Sequence, residues 1–297
     1  MDGWLNIYKP RGISSAHAVA IVKRTFRQCK IGHTGTLDLE AEGILPMAIG
    51  EATKLVSILI DAKKQYQFTV KFGAQTDTAD SAGRIINSCQ YIPNHDECMD
   101  ICTQFIGNIE QIPPAYSALK VNGVRAYKLA RDGQNVELKK RNIEIYDLKC
   151  ITYDETQGNA TYICECSKGT YIRTLAEDIS FALQTLGYVV ELRRLRVGMF
   201  GMETAVDISK CSALNPQETE VLLLSNCLKV ESVLDDIPVL EADEDIFQKI
   251  RFGQLCTFDA DDNELVWVRY NGRIAAIGSL LLNNFKSSRV FNLNYGE

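Results

Sequence analysis

The chain has 297 residues, 46% of them hydrophobic, with 32 Lys and Arg against 38 Asp and Glu for a formal net charge of −6. That supplies apolar material for one large domain plus a small one. No apolar run approaches the length of a membrane span, and Met1-Asp2-Gly3-Trp4 opens no basic region followed by a hydrophobic stretch, so a soluble cytoplasmic protein is the expectation.

In chain order, Ser14 or Ser15 caps a predicted helix in which Val19, Val22 and Phe26 recur at helical spacing, with Lys23 and Arg27 on its other side. A loop follows, Gly32-His33-Thr34-Gly35-Thr36-Leu37-Asp38, continuing through Leu39-Glu40-Ala41-Glu42-Gly43-Ile44-Leu45-Pro46. Its glycines and proline fix the backbone on both sides of Asp38. One reading is a turn whose aspartate caps a following helix; the other is an anchored functional acid. A phosphate loop is excluded, because no Gly-Lys-Ser/Thr follows at the required spacing.

Residues 65–72 alternate, with Tyr66, Phe68, Val70 and Phe72 on one face and Gln65, Gln67, Thr69 and Lys71 on the other, the pattern of a half-buried strand. Residues 160–166 read as another strand. They lead through a Lys168-Gly169 turn into a helix from about Thr170 to Leu186, with Ile172, Leu175, Ala176, Ile179 and Leu183 as its stripe and Gly187 as its stop. Arg173 sits at that helix start, where it can pair with Glu177 one turn on. Near the end, Glu264–Arg269 and Arg273–Leu282 flank Asn271-Gly272, a hairpin signal, so the tail is expected to be a small β-rich module.

Ten cysteines at irregular spacing, with no Cys-x-x-Cys pair, are expected to be reduced and mostly buried. Cys164 and Cys166 share one face of their strand. His95, Cys98 and Cys102 can line up on a short helix, but three local ligands do not complete a tetrahedral zinc site.

Residues 211–245 hold nine acids against Lys229 alone, a local sum of −8 that leaves the remainder at +2. Basic residues elsewhere form three groups: Lys23, Arg24, Arg27 and Lys30; Lys120, Arg125, Lys128, Arg131, Lys139, Lys140 and Arg141; and Arg193, Arg194 and Arg196. Each can be a solvated face, but three flanking the same motifs favour phosphate contacts and salt-sensitive binding. Strands and helices in mixed order, without βαβ alternation, argue for an α+β fold. The stretch 211–240 reads as an acidic connector between a domain at 1–210 and another at 241–297.

The glycine-rich loop and its Gly43-Ile44-Leu45-Pro46 ending resemble the signature of the TruB group of tRNA pseudouridine synthases. Six further blocks recur in order: Asn6-Ile7-Tyr8-Lys9-Pro10-Arg11-Gly12; Tyr66; Thr76-Asp77-Thr78 with Asp80; Gln111-Ile112-Pro113-Pro114-Ala115-Tyr116-Ser117-Ala118-Leu119-Lys120; Lys168-Gly169-Thr170-Tyr171-Ile172-Arg173; and Leu192-Arg193-Arg194-Leu195. The resemblance implies a mixed-sheet pseudouridine-synthase core with flanking helices, a PUA-like RNA-binding domain at the end, and isomerisation of uridine 55 in the tRNA T-loop after the nucleotide leaves the stack. It implies Asp38 as nucleophile or as the base that initiates glycosidic cleavage, Arg173 holding that aspartate, Tyr66 stacking on the uracil, Leu192 on the pocket wall and His33 near the displaced nucleotide. Neither metal nor organic cofactor is implied. The partner is the tRNA T-arm, with no membrane and no required protein, and a stand-alone monomer is expected rather than a guide-RNA assembly. A non-catalytic RNA chaperone on the same scaffold is the competing reading. Leu39, Glu40 and Glu42 depart from the family pattern, and two acids near an RNA surface oppose binding.

Overall fold

The computed structural model describes residues 1–117, 119–121, 123–134 and 138–294, and the side chains at 120, 130 and 131 also fall outside the description. Ala118 of the Pro-Pro block and the Lys120 and Arg131 side chains therefore lie outside the described residues.

The first strand, β1 (Gly3–Lys9), is buried along nearly its whole length and divides its side chains between two cores. Leu5 and Ile7 meet the helix α1 (Ser15–Thr25), while Trp4 faces the opposite layer. Both candidate capping serines are used. Ser14 accepts from the His17 amide at 3.1 Å and caps α1, whereas buried Ser15 donates to the Leu37 carbonyl at 3.0 Å and accepts from its amide at 2.9 Å. The chain then runs through β2 (Ile31–His33), β3 (Glu42–Ile49), α2 (Val56–Asp61), β4 (Lys64–Phe72), β5 (Ala74–Thr76), β6 (Ile85–Ser88), α3 (His95–Asp100) and β7 (Gly107–Gln111).

Two short strands follow, β8 (Lys120–Val121) and β9 (Val124–Arg125), with α4 (Ala126–Arg131) behind them. A long hairpin, β10 (Arg141–Asp154) and β11 (Asn159–Cys166), leads to α5 (Ile172–Ala182) and β12 (Gly187–Val197). The first domain closes with β13 (Val206–Asp207), α6 (Pro216–Ser225) and β14 (Cys227–Leu228). Its sheet has the order β13-β1-β3-β12-β4-β11-β10-β7, with β14 also on β1 and β2 also on β3. Parallel pairs β1/β13 and β3/β12 within an otherwise antiparallel ladder make it mixed, the expected α+β core with flanking helices.

Strand β4 carries the predicted alternation: Phe68, Val70 and Phe72 pack under α5 with Cys164 and Cys166 of β11. Its polar face is partly covered too, with Thr69 Oγ1 at 2.9 Å from Thr161 Oγ1. Helix α5 keeps its predicted stripe but is shorter than expected. It begins at Ile172 and ends at Ala182, where Gln184 takes a left-handed conformation (φ 58°) and closes the turn. Gly187 is not the stop; it opens β12, and a Cβ there would lie 2.2 Å from Ser180 Oγ, so the glycine serves helix–strand packing.

Cys98 and Cys102 are buried in the same core, whereas His95 is exposed beside Asp96. Among the described residues no group of three or more His, Cys, Asp or Glu side chains is placed to hold a metal ion. No helix among them is long and apolar enough to cross a membrane.

The acidic stretch after residue 210 is folded: Asn215 and Glu218 form a capping box on α6, and β14 joins the main sheet. Beyond it, β15 (Val239–Glu241), α7 (Glu244–Arg251), β16 (Cys256–Thr257), β17 (Asn263–Tyr270), β18 (Arg273–Leu281) and β19 (Asn284–Val290) form the expected β-rich module, with sheet order β15-β17-β18-β19-β16. Asn271 (φ 48°) and Gly272 (φ 73°) make the predicted tight turn between β17 and β18. Trp267, Ile274, Ile277 and Phe291 pack with Trp4 and Phe200 and seat this module on the first domain.

Candidate functional site

Asp38 lies between β2 and β3, so it caps no following helix; the chain enters a buried strand instead. Several buried groups hold its loop. The Lys9 ammonium, fully buried at the end of β1, donates to the carbonyls of Ala41 (2.5 Å), Ile13 (2.8 Å) and Pro10 (3.0 Å). Desolvation is the main cause that lowers its pKa to about 8. Arg194 of β12 donates to the carbonyls of Ile44 (2.7 Å) and Gly35 (3.0 Å). Gly43 is required by close approach, since at φ 112° a Cβ would sit 2.2 Å from the Arg194 carbonyl oxygen.

The carboxylate of Asp38 meets Arg173 of α5, with Oδ2 2.9 Å from Nη2. The two differ in environment: the arginine side chain is 5% exposed and the aspartate 44%. Arg173 does not pair with Glu177, whose Oε1 accepts instead from Gln75 at 3.0 Å. Its second prong reaches Asp80 Oδ2 at 3.5 Å, and it also donates to the carbonyls of Thr78 and Tyr116, each at 2.9 Å. Asp80 is fixed in turn by Thr78 Oγ1 (2.7 Å) and the Ala82 amide (3.0 Å). The guanidinium is thus divided between two carboxylates, leaving the outer one accessible.

A cleft of about 440 Å³ opens on Asp38, lined by Tyr66, Tyr171, Arg173, Leu192 and Arg194. Tyr66 extends from β4 at the junction of two cores, where Leu192 also packs. Burial raises the Tyr66 pKa and keeps it a neutral phenol, while the Arg194 charge pulls the other way. His33 does not line this cleft. It borders a second one of about 570 Å³ on the other side of the loop, with Asp38, Tyr116 and Tyr127. Burial, then the Arg194 charge, lowers the His33 pKa, and the Gly35 amide donates to its Nδ1 at 3.3 Å, so the ring is neutral.

The sequence grouping of Arg193, Arg194 and Arg196 as one phosphate-facing patch is not what the structure shows. Arg194 is buried inside the site, Arg193 is paired with Glu42 Oε1 at 2.5 Å, and Arg196 is exposed. Arg11 pairs with Glu40 at 2.7 Å, so both unexpected acids of the loop are neutralised by arginines. Arg24, Arg27, Lys30, Lys128, Lys139 and Arg141 are exposed. Sequence reading assigned no role to Lys9 or Asp80, and to Arg194 only a phosphate contact, not its buried place in the site. For Lys9 a signal existed, a lysine ending an otherwise apolar strand; for Arg194 none did, because a Leu-Arg-Arg-Leu-Arg run looks like a solvated face.

Two family models match consecutive parts of the chain: the TruB family pseudouridylate synthase N-terminal domain over residues 23–172, and the tRNA pseudouridylate synthase B C-terminal domain over 173–235. The chain is 60% identical over 291 residues to tRNA pseudouridine synthase B of Rickettsia bellii (strain OSU 85-389), covering 98% of each. It is 56% identical over 293 residues to the protein of that name from Rickettsia akari (strain Hartford), again covering 98% of each. Among solved structures it is similar to a chain of an H/ACA RNP bound to a substrate RNA containing 2′-deoxyuridine (TM-score 0.71, 20% identity, 98% of this chain and 85% of that one). A chain of a Cbf5-Nop10-Gar1 complex matches comparably (TM-score 0.70, 21% identity, 98% and 84%). At such identities these two likenesses speak for the fold.

Proposed function

The chain belongs to the TruB family and is a tRNA pseudouridine synthase of that type, and on that premise we propose that it isomerises uridine 55 in the T-loop with Asp38 as the reacting carboxylate. The observation that carries this reading is the asymmetric Asp38–Arg173 pair at 2.9 Å, an accessible carboxylate held by a buried cation at the floor of a cleft.

The reaction detaches uracil from C1′ and rejoins it through C5, with no redox change and no net hydrolysis. It needs an ionised carboxylate at the sugar, and the Arg173 charge favours that form and aims it. Whether Asp38 bonds to C1′ or takes the C2′ proton, the same oxygen must reach the ribose, so the nucleotide must be everted into the cleft. Tyr66 then stacks on the base, Leu192 packs on the cleft wall, and neutral His33 meets RNA on the far side of the loop, in the second cleft. Metal and organic cofactors have no part in the proposed steps.

The exposed basic residues before the loop and after the Pro-Pro motif would follow the T-arm backbone. We assign catalysis to residues 1–210, PUA-like RNA binding to 241–297, and the join between them to 211–240, a folded stretch whose β14 rests on the first sheet. The five-stranded sheet supports a separate terminal module, its first strand beginning at Val239, two residues before that last boundary. A monomer acting in the cytoplasm without a protein partner completes the reading. A binding-only chaperone would need neither the accessible carboxylate nor the buried arginine beneath it. Incubation with unmodified tRNA transcript, followed by chemical mapping of pseudouridine, tests the proposal: one modified site in the T-loop is expected, and none would refute it.

A further inference from the structure

Two arginines are buried at the cleft, and only one has a counter-charge. Arg173 meets Asp38 and Asp80, whereas Arg194, 2% exposed, has no carboxylate within ion-pair distance among the described residues. The Arg194 hydrogen-bond partners are neutral oxygens, the carbonyls of Ile44 and Gly35, and Tyr66 lines the same cleft. The carboxylate that lines the cleft, Asp38, is paired to Arg173, and the other charge near Arg194 includes cations. Lys64, also buried and lining the cleft, donates to the carbonyls of Ile60 and Ala62 at 2.6 Å each, and the Arg194 field reaches Lys64 and Lys9 alike.

Burying a cation without an anion is costly, and a fold that sustains it at a cleft wall stores electrostatic potential there. The geometry points to Arg194 as the group that stabilises the uracil anion when the glycosidic bond breaks. This inference rests on the functional reading above. In that step the C1′–N1 bond breaks heterolytically and its electron pair leaves with the base. An Asp38 oxygen bonds to C1′, or takes the C2′ proton, so one unit of negative charge passes from the carboxylate to the uracil. Arg173 neutralises the charge at its origin; Arg194 meets it at its destination. When C5 attacks C1′, the bond from C1′ to the Asp38 oxygen breaks, or Asp38 gives its proton back to C2′, so the carboxylate regains its charge and the base becomes neutral; the C5 proton then leaves to solvent as N1 takes one up. The guanidinium is preorganised by its two carbonyls, so it need not reorient as charge develops.

The test compares wild type, Arg194→Lys and Arg194→Met on full-length tRNA transcripts carrying either uridine or 5-fluorouridine at the target. Target consumption is followed in single turnovers. Fluorine makes the base a weaker base and a better leaving group, less dependent on outside stabilisation. Arg194→Met is expected to slow uridine consumption by about 100-fold or more, with tRNA affinity within a few-fold of wild type. With 5-fluorouridine its defect should be smaller by at least about tenfold, with Arg194→Lys between the two. Equal slowing of both substrates would mean that Arg194 only shapes the loop, and would overturn the inference. If Arg194→Met does not fold, the same ratio measured with Arg194→Lys decides. Wild type that forms no pseudouridine would instead remove the functional reading, and this inference with it.

Discussion

Arg173 Nη2 lies 2.9 Å from Asp38 Oδ2, and its neighbouring Nη1 lies 3.5 Å from Asp80 Oδ2. One planar guanidinium therefore spans two carboxylates, one on the cleft and one beneath it. A lysine retains the charge but offers one point of attachment.

Arg173→Lys should accordingly lose about 100-fold or more in single-turnover rate while binding tRNA within a few-fold of wild type. Quench-flow rates alongside filter binding check this. Near-normal rates would remove the clamp from the account.

Gly43 should tolerate no side chain. Its φ of 112° and the Arg194 backbone at 2.2 Å make Gly43→Ala a clash between two paired strands rather than with a movable side chain. A loss of at least about 2 kcal/mol in denaturant unfolding is expected, with a matching drop in activity.

Glu40 and Glu42 should weaken RNA binding by occupying Arg11 and Arg193. The double variant Glu40→Gln, Glu42→Gln frees both cations, so tRNA affinity should rise and the log–log salt dependence should steepen by about one to two. Titrations at several salt concentrations measure it; an unchanged slope would show that neither arginine reaches phosphate.

Asp178, half-buried on α5, has its pKa raised to about 6, first by desolvation and then by Glu177. Its folded pKa exceeds the unfolded value of about 3.9, so its contribution to stability is present below pH 4 and lost as pH rises through 6. Melting curves should therefore show Asp178→Asn gaining on wild type between pH 4 and pH 7. A difference independent of pH would contradict the raised pKa.

Much of the site was legible because it is local. The loop around Asp38, the alternation carrying Tyr66 and the turn at Asn271-Gly272 are short-range patterns, and the structure has them where their periods place them. What escaped depends on contacts distant in sequence. Arg194 reaches Gly35, Arg193 reaches Glu42 and Arg11 reaches Glu40, and no local pattern separates a buried arginine from a solvated one. The end of α5 was misplaced for a related reason: Gly187 was read as a cap, but its missing side chain serves contact with Ser180.

The most direct measurement is pseudouridine mapping on unmodified tRNA transcript treated with wild type and with Asp38→Ala, with tRNA affinity determined for both. The account predicts one modified T-loop uridine for wild type, none for the variant, and affinities within a few-fold. Pseudouridine formed by Asp38→Ala would contradict it.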